Sequence, residues 1–350
     1  GASHNGATPD TNPQTFTRPS GNGSYTEAAN TTPLDDTFKD TRLNVSVGYL
    51  QPLSRFERVE YGLNLSNEYD FLSIGSSATY LKDINQRNTT LSAGVSIEYD
   101  RIRPVGGFPD PLTPMRSNSQ VQNKTEDTDT KVIGELLFGI TQVIDKYTLA
   151  QFNYGVGISD GYHTDPYKVI SMVDSADGSA IPINGLTGTY LFENRPSSRQ
   201  KQSLFSRLKK YVKGNIVDVS YRYMWDDWEV ASHTLDFKVR FNRREPWFIE
   251  PHFRYYDQQA AEFYRHSITD AEAQNLPEHL SADYRLADMT AMTLGVKIGW
   301  TTFDGNQHSI RVERYLQEGD STPSDAVGLQ QNLDLYPMVE AYILQYNYRY

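Results

Sequence analysis

The last nine residues, Tyr342-Ile343-Leu344-Gln345-Tyr346-Asn347-Tyr348-Arg349-Tyr350, decide how the rest of the chain is read. In an extended strand, successive side chains point to opposite faces. Tyr342, Leu344, Tyr346, Tyr348 and Tyr350 therefore share one face, and Gln345, Asn347 and Arg349 share the other. An edge strand of a soluble sheet shows the same alternation, so recurrence elsewhere decides between the two readings.

The alternation recurs along most of the chain. Leu43, Val45, Val47 and Tyr49 alternate with Asn44, Ser46 and Gly48, and Leu91, Ala93, Val95, Ile97 and Tyr99 with Ser92, Gly94, Ser96 and Glu98. Further on, Val217, Val219, Tyr221, Tyr223 and Trp225 oppose Asp218, Ser220 and Arg222, and Leu294, Val296, Ile298 and Trp300 oppose Gly295, Lys297 and Gly299. These segments run to about ten residues, the length at which a tilted strand crosses a bilayer, whereas strands of soluble sandwiches are usually about five or six. The apolar face often ends in Tyr or Trp, as an interfacial aromatic girdle requires. The chain is therefore expected to be all-β, an antiparallel transmembrane β-barrel in a bacterial outer membrane. An aromatic final residue on such a strand resembles the C-terminal barrel-assembly signal of Gram-negative outer-membrane proteins, carried here by Tyr342, Leu344, Tyr346, Tyr348 and Tyr350.

Composition agrees and excludes much else. The 350 residues are only 38% hydrophobic, yet tyrosine (24) outnumbers phenylalanine (15). A chain this poor in apolar residues has to spend them on one face. Mean hydropathy is −0.60, and no run of apolar residues is long enough for a transmembrane helix. The net charge of −11 disfavours a nucleic-acid partner. With no cysteine there is no disulfide framework, thiolate metal site or thiol nucleophile.

Connection lengths give an independent register. If the last strand ends in the periplasm, every second connection counted backward is a short periplasmic turn. Those connections fall at residues 51–55, 82–85, 144–146, 212–214, 243–246 and 303–306. The alternate set holds the long external loops, near residues 100–129, 160–200, 258–283 and 317–334, with brief members near Asn67-Glu68 and Asp226-Asp227. Counting this way gives roughly thirteen strands, although bacterial single-chain barrels have even counts. The barrel would occupy residues 37–350, and residues 1–36, rich in Gly, Pro, Ser, Thr and Asn, would form an extracellular loop. An external loop needs a strand leading up to it, and neither such a strand nor a signal peptide is found. The expectation is a sequence that starts partway into the mature protein, from a parent barrel of sixteen (or fourteen) strands.

Three inner segments and the opening carry a family resemblance. Asp160-Gly161-Tyr162-His163-Thr164-Asp165-Pro166-Tyr167-Lys168, Tyr221-Arg222-Tyr223-Met224-Trp225-Asp226-Asp227-Trp228 and Pro251-His252-Phe253-Arg254-Tyr255-Tyr256 resemble a Gram-negative family known only as a domain of unknown function, as does Gly1-Ala2-Ser3-His4-Asn5-Gly6-Ala7-Thr8. The resemblance spans nearly the whole chain and implies an outer-membrane barrel of about sixteen strands. Neighbouring genes in that family often encode a small lipoprotein, a thioredoxin-like protein and a flavin transferase, which implies extracytosolic redox work by association alone. It supplies no catalytic residues.

By parity, Asp218, Arg222, Asp236, Lys238, Arg240, Glu250, His252 and Arg254 face the lumen from three consecutive strands. They read either as a lining that selects solutes by charge or as a neutralising lattice of ion pairs, and the balanced signs favour the lattice. His252, with Glu250 one step along the same face, offers a weak acid–base pair without a placed nucleophile. The carboxylates of Glu126-Asp127-Thr128-Asp129 lack the spacing and glycine of a calcium loop, and Asp174-Ser175-Ala176-Asp177-Gly178 reads as a turn. Thr269 to Gln274 is expected to form a short capped helix over the mouth, and Tyr162, Tyr167, Tyr190 and Tyr264 to dock inward and narrow it. No metal or cofactor is expected. The functional expectation is a scaffold or conduit for a periplasmic or lipoprotein partner, in one reading linked to redox or electron transfer. The alternative is a passive porin-like channel, and an outer-membrane enzyme is the weakest reading. Expected partners are outer-membrane lipid, lipopolysaccharide, the barrel-assembly machinery, and a small lipoprotein or redox carrier.

Overall fold

The computed structural model describes residues 13–17, 24–28, 41–104, 107–115, 128–181, 189–244, 246–336 and 338–350. Thirteen strands form one antiparallel sheet, each bonded to its neighbour in chain order. They are β3 (Leu43–Pro52), β4 (Glu57–Asn67), β5 (Phe71–Ile84), β6 (Thr89–Ile102), β7 (Asp129–Asp145), β8 (Thr148–Gly161) and β11 (Ser198–Val212). The order continues through β12 (Asn215–Asp226), β13 (Ala231–Arg244), β14 (Trp247–Gln258), β16 (Met289–Thr301), β17 (Gln307–Gly319) and β18 (Val339–Arg349). The two edges, β3 and β18, are not paired with each other.

Each strand carries the alternation read from the sequence. On β6, Leu91, Val95, Ile97 and Tyr99 are exposed while Ser92, Gly94, Ser96 and Glu98 turn to the partly sheltered face. Register is continuous: Val95 lies opposite Ala78 and Leu136, and Ser96 opposite Ser77 and Glu135. Like faces therefore meet across every pair. Aromatic groups collect near the strand ends of the apolar face. Trp247 stacks on Trp300 at 5.2 Å and Trp300 on His308 at 5.3 Å at one end, and Tyr223 stacks on Trp225 at 5.2 Å at the other. His233, on the same apolar face, stacks on Tyr223 and shares a hydrogen bond with the Tyr221 hydroxyl. Tyr342, Leu344, Tyr346, Tyr348 and Tyr350 all lie exposed, the first four on β18 and the last just beyond it.

All the connections at one end of the sheet are tight. Residues 146–147 join β7 to β8 and residues 213–214 join β11 to β12, with Lys213 and Gly214 at positive φ as a two-residue hairpin demands. The long connections all leave from the other end. Between β8 and β11 the chain forms β9 (Val169–Val173) and β10 (Thr189–Phe192), and between β14 and β16 it forms β15 (Ser267–Thr269). These three make a small sheet of their own, in the order β10-β9-β15. A short 3-10 turn, Glu272–Asn275, follows β15; its N-cap residue is Ala271, with no side-chain cap bond, and just before it Thr269 and Glu272 exchange backbone-to-side-chain bonds. In the N-terminal region, expected to be a loop, the described residues pair as a hairpin of β1 (Gln14–Thr17) and β2 (Ser24–Glu27).

The apolar face generates the first prediction. Val95→Arg places a charge on the lipid side near mid-strand and is expected to cost about 2–4 kcal/mol in denaturant unfolding from phospholipid vesicles. Ser96→Arg on the opposite face is expected to cost well under half of that.

Candidate functional site

The partly sheltered face is concave, with residues from β5 to β14 lining one cavity. Its charged side chains interlock in several places. Asp218 lies 2.5 Å from Arg207 and 3.3 Å from Lys209, and Asp236 lies 2.8 Å from Lys238 and 2.9 Å from His252. His252 also bonds Glu313 at 2.6 Å, and Arg311 reaches both Glu250 and Glu313 at 3.7 Å. His252 is thus held across strands by Asp236 and Glu313, while its same-strand neighbour Glu250 turns to Arg311. Arg240 stacks on Phe248, its guanidinium 3.5 Å from the ring centre, and Gly299 leaves the space that ring occupies. Arg222 sits over the Phe205 ring at 5.6 Å. Neither Arg222 nor Arg254 has a carboxylate within ion-pair distance among the described residues.

At the long-loop end the connections pack on one another into a cap with a dry interior. Val169, Ile170 and Val173 are fully buried on β9, and Ile170 and Met172 join Leu191, Ile268, Leu280 and Ala282 in one apolar cluster. A second cluster gathers Trp228, Val230, Ala261, Phe263 and Leu286. The ties run from one side of the sheet to the other. The Tyr167 hydroxyl donates to Asp70 in the β4–β5 turn at 2.5 Å. The Met115 amide donates to the Tyr190 carbonyl at 2.7 Å, and Asn194 and Leu280 exchange backbone bonds of 2.9 and 2.8 Å. The Leu329 amide donates to the Asp177 carbonyl at 2.8 Å, and Tyr284 meets Tyr336 edge to face. Gly178 and Gly328, both at positive φ, let two backbones touch: a Cβ on Gly328 would lie 2.1 Å from the Asp177 carbonyl oxygen.

Buried charges hold this cap. Glu193 and Asp283 have no exposed side-chain surface, and Arg195 between them has 10%. Arg195 lies 2.6 Å from Glu193 and 2.7 Å from Asp283; Arg285 bonds Asp283 and lies 2.9 Å from Asp165. Glu193 also accepts from the Asp165 amide at 2.6 Å and the Ser281 hydroxyl at 2.5 Å. Burial alone would raise the Asp283 carboxyl, but the Arg285 hydrogen bond and the charges of Lys168, Arg285 and Arg195 hold it well below the usual carboxylate range. Burial pushes Glu193 up against the pull of Arg195. Burial likewise pulls Lys168 down, opposed by Asp283 and Asp165.

Two of the segments that carried the resemblance meet at the rim. His163 lies edge-on to Trp228 at 5.5 Å, and Arg199 sits over the same indole at 4.5 Å while bonding Asp226. The Thr164 hydroxyl accepts from the Arg195 amide at 2.9 Å. The Gly161 carbonyl can only accept, so His163 Nδ1 donates to it at 3.0 Å and Nε2 accepts from the Ser159 hydroxyl at 2.7 Å. Burial, then the charges of Lys131, Arg199 and Arg195, depress His163 below its ordinary 6.5 despite the Gly161 bond. Of the tyrosines expected to dock inward, Tyr162 packs edge-on against Phe108 at 4.5 Å, Tyr190 is buried, Tyr167 reaches Asp70, and Tyr264 packs against the Trp228 cluster.

The buried Glu193–Arg195–Asp283 set, with the exposed Arg285 at its edge, was not legible in the sequence, because its members come from two loops with no shared period. The doublets Glu193-x-Arg195 and Asp283-x-Arg285 were the only trace. Asp174 to Gly178 is a turn, with Asp174 accepting from the Ala176 amide at 2.8 Å. Glu126 and Asp127 fall outside the described residues.

Comparison with known proteins places the chain. It belongs to the family described as "Protein of unknown function (DUF3570)", whose model matches residues 1–350. No match was found among curated proteins. Among solved structures, a mutant of the ferric enterobactin receptor PfeA from Pseudomonas aeruginosa is similar, with 12% identity and a TM-score of 0.50 over 88% of this chain and 48% of that one. The siderophore receptor PirA from Acinetobacter baumannii matches at 12% identity and TM-score 0.46, over 88% and 48% of the two chains. BamA from Haemophilus ducreyi matches at 10% identity and TM-score 0.38, over 87% and 62%. The chain spans about half the length of the receptors it matches. The likeness to PfeA shows the fold, a bacterial outer-membrane β-barrel.

Two outcomes are expected for the cap. Asp283→Asn strands Arg195 and Arg285 without their shared carboxylate and is expected to cost the cap about 3–5 kcal/mol, read as faster amide exchange over residues 165–181 and 189–195. A histidine depressed on folding binds its proton more tightly when unfolded, so stability is intact above pH 6.5 and declines as pH falls below it. Cap amide exchange is therefore expected to accelerate below pH 6.5, with His163→Gln removing part of that dependence.

Proposed function

We propose that this outer-membrane barrel is a capped scaffold or conduit that serves a periplasmic or lipoprotein partner, not a permanently open diffusion channel. The observation that supports it is the cap. Hydrogen bonds and ion pairs run from Asp70 through Tyr167, Asp165, Arg285 and Tyr284 to Tyr336, joining the β4–β5 turn to the β17–β18 connection across the loop end of the sheet. Loops that only bordered a pore would have no reason to bury two acids (Glu193, Asp283) with two bases (Lys168, Arg195) and to close the set at its edge with Asp165 and the exposed Arg285.

In this reading the cap lies outside the cell and the tight turns face the periplasm. The barrel is inserted by the barrel-assembly machinery into a bilayer of phospholipid and lipopolysaccharide. The partner is the small lipoprotein or redox carrier that the family resemblance implies, held at the turn end or within the lumen. The competing reading is porin-like diffusion, which the polar concave wall favours. Conductance separates them. The full chain in a planar bilayer is expected to pass little current, and the double variant Asp283→Asn, Gly328→Val to conduct several-fold more as the cap loosens. An ohmic pore of equal size in both proteins would instead support the porin.

A further inference from the structure

Beneath the cap, the inner face of the sheet lines an open cavity of about 530 Å3, within the range of small-molecule sites. From this cavity we infer a binding site for a small multivalent oxyanion, a solute carrying two or more carboxylate or phosphate groups, gripped by Arg222 and Arg254. The inference holds whether the barrel is a conduit or a scaffold.

Several other inward-facing cations have an acid partner. Lys201, lining the same cavity, is 3.6 Å from Glu135, and Arg199, Arg207, Lys209 and Lys238 each lie beside an aspartate. Arg222 and Arg254 line the cavity without such a partner among the described residues. Strand register explains why. Arg222 is opposite Phe205 on β11 and Thr234 on β13, neither an acid. Arg254 is opposite Asp236 and Thr293, and Asp236 is already engaged by Lys238 and His252. Both arginines remain solvent-accessible on the concave face. Each presents a planar fork of donors suited to two-point recognition of carboxylate or phosphate.

The rest of the lining suits an oxyanion. Ser203, Ser232 and Thr234 add hydroxyls to the lining, and Gly155 and Gly157 on β8 add no side-chain bulk to it. Among the described lining residues Glu135 is the one acid, and Lys201 offsets it, so these residues leave the cavity the charge of the two arginines. One fixed cation would hold a monovalent anion. Two cations on strands separated by β13 suit a ligand with charge at two points.

Titration calorimetry on the detergent-solubilised full chain tests this, with citrate and inorganic pyrophosphate as the two probes and sucrose as the neutral comparator. At least one anion is expected to bind saturably at one site per chain, with sucrose showing no heat. Citrate alone would assign a polycarboxylate, and pyrophosphate alone a polyphosphate. Arg222→Gln and Arg254→Gln are each expected to weaken binding at least tenfold, and the pair together to abolish it. Arg222→Lys, which keeps the charge, is expected to retain weaker binding and guards against a folding defect. Arg240→Gln, whose cation is stacked on Phe248 away from the cavity, is expected to bind as the unaltered protein does. No binding of either anion to the unaltered chain would overturn the inference, as would equal binding by the double variant or an equal loss in Arg240→Gln.

Discussion

Hydrocarbon offers no hydrogen bonds, and every feature of the wall follows from that. A backbone amide left bare in the bilayer core costs several kcal/mol, so a chain without long apolar helices can cross only as strands bonded to one another. Once the sheet forms, its two surfaces face different media, and each strand has to alternate to satisfy both. The mean hydropathy of −0.60 belongs to such a molecule, because half of every strand is wetted and the loops are polar. The same constraint bears on β3 and β18, the two edges of the sheet: in a bilayer, strand edges require hydrogen-bonded partners.

The cap is built on the opposite logic. Its strands are short, its apolar groups converge, and β9 is buried on both faces as no strand of the wall is. It has the packed interior of a small soluble domain, assembled from loops that are far apart in sequence. Burying Glu193, Arg195 and Asp283 together is tolerable only because each carboxylate meets a guanidinium and further donors complete the shell.

The two parts differ in how well the sequence exposes them. Leu294, Val296, Ile298 and Trp300 announce their face because a strand repeats every two residues. The long loops could be located from the strands that bound them, but their pairings could not: nothing in Val169-Ile170-Ser171-Met172-Val173 says that it will lie parallel to Ser267-Ile268-Thr269. The inner wall was legible as to side but not as to partner. Parity brings Asp236, His252 and Arg254 to one face, yet only the register shows that Lys238 and His252 occupy the aspartate and leave Arg254 outside the lattice. His252 and Glu250 are close in sequence, whereas the carboxylate partners of His252 are Asp236 on the flanking β13 and Glu313 on β17, one strand beyond the other flank, β16.

The central claim is that lipid covers one surface of this sheet and water the other. The absence of cysteine allows a direct test, since single cysteines introduced along β16 are the only sites a thiol-reactive spin label can reach. With the protein in lipid vesicles, labels at Leu294→Cys, Val296→Cys and Ile298→Cys are predicted to relax with dissolved oxygen, and labels at Thr293→Cys and Lys297→Cys with an aqueous nickel chelate, alternating residue by residue. Uniform accessibility along the strand, or a period near three or four, would contradict the account.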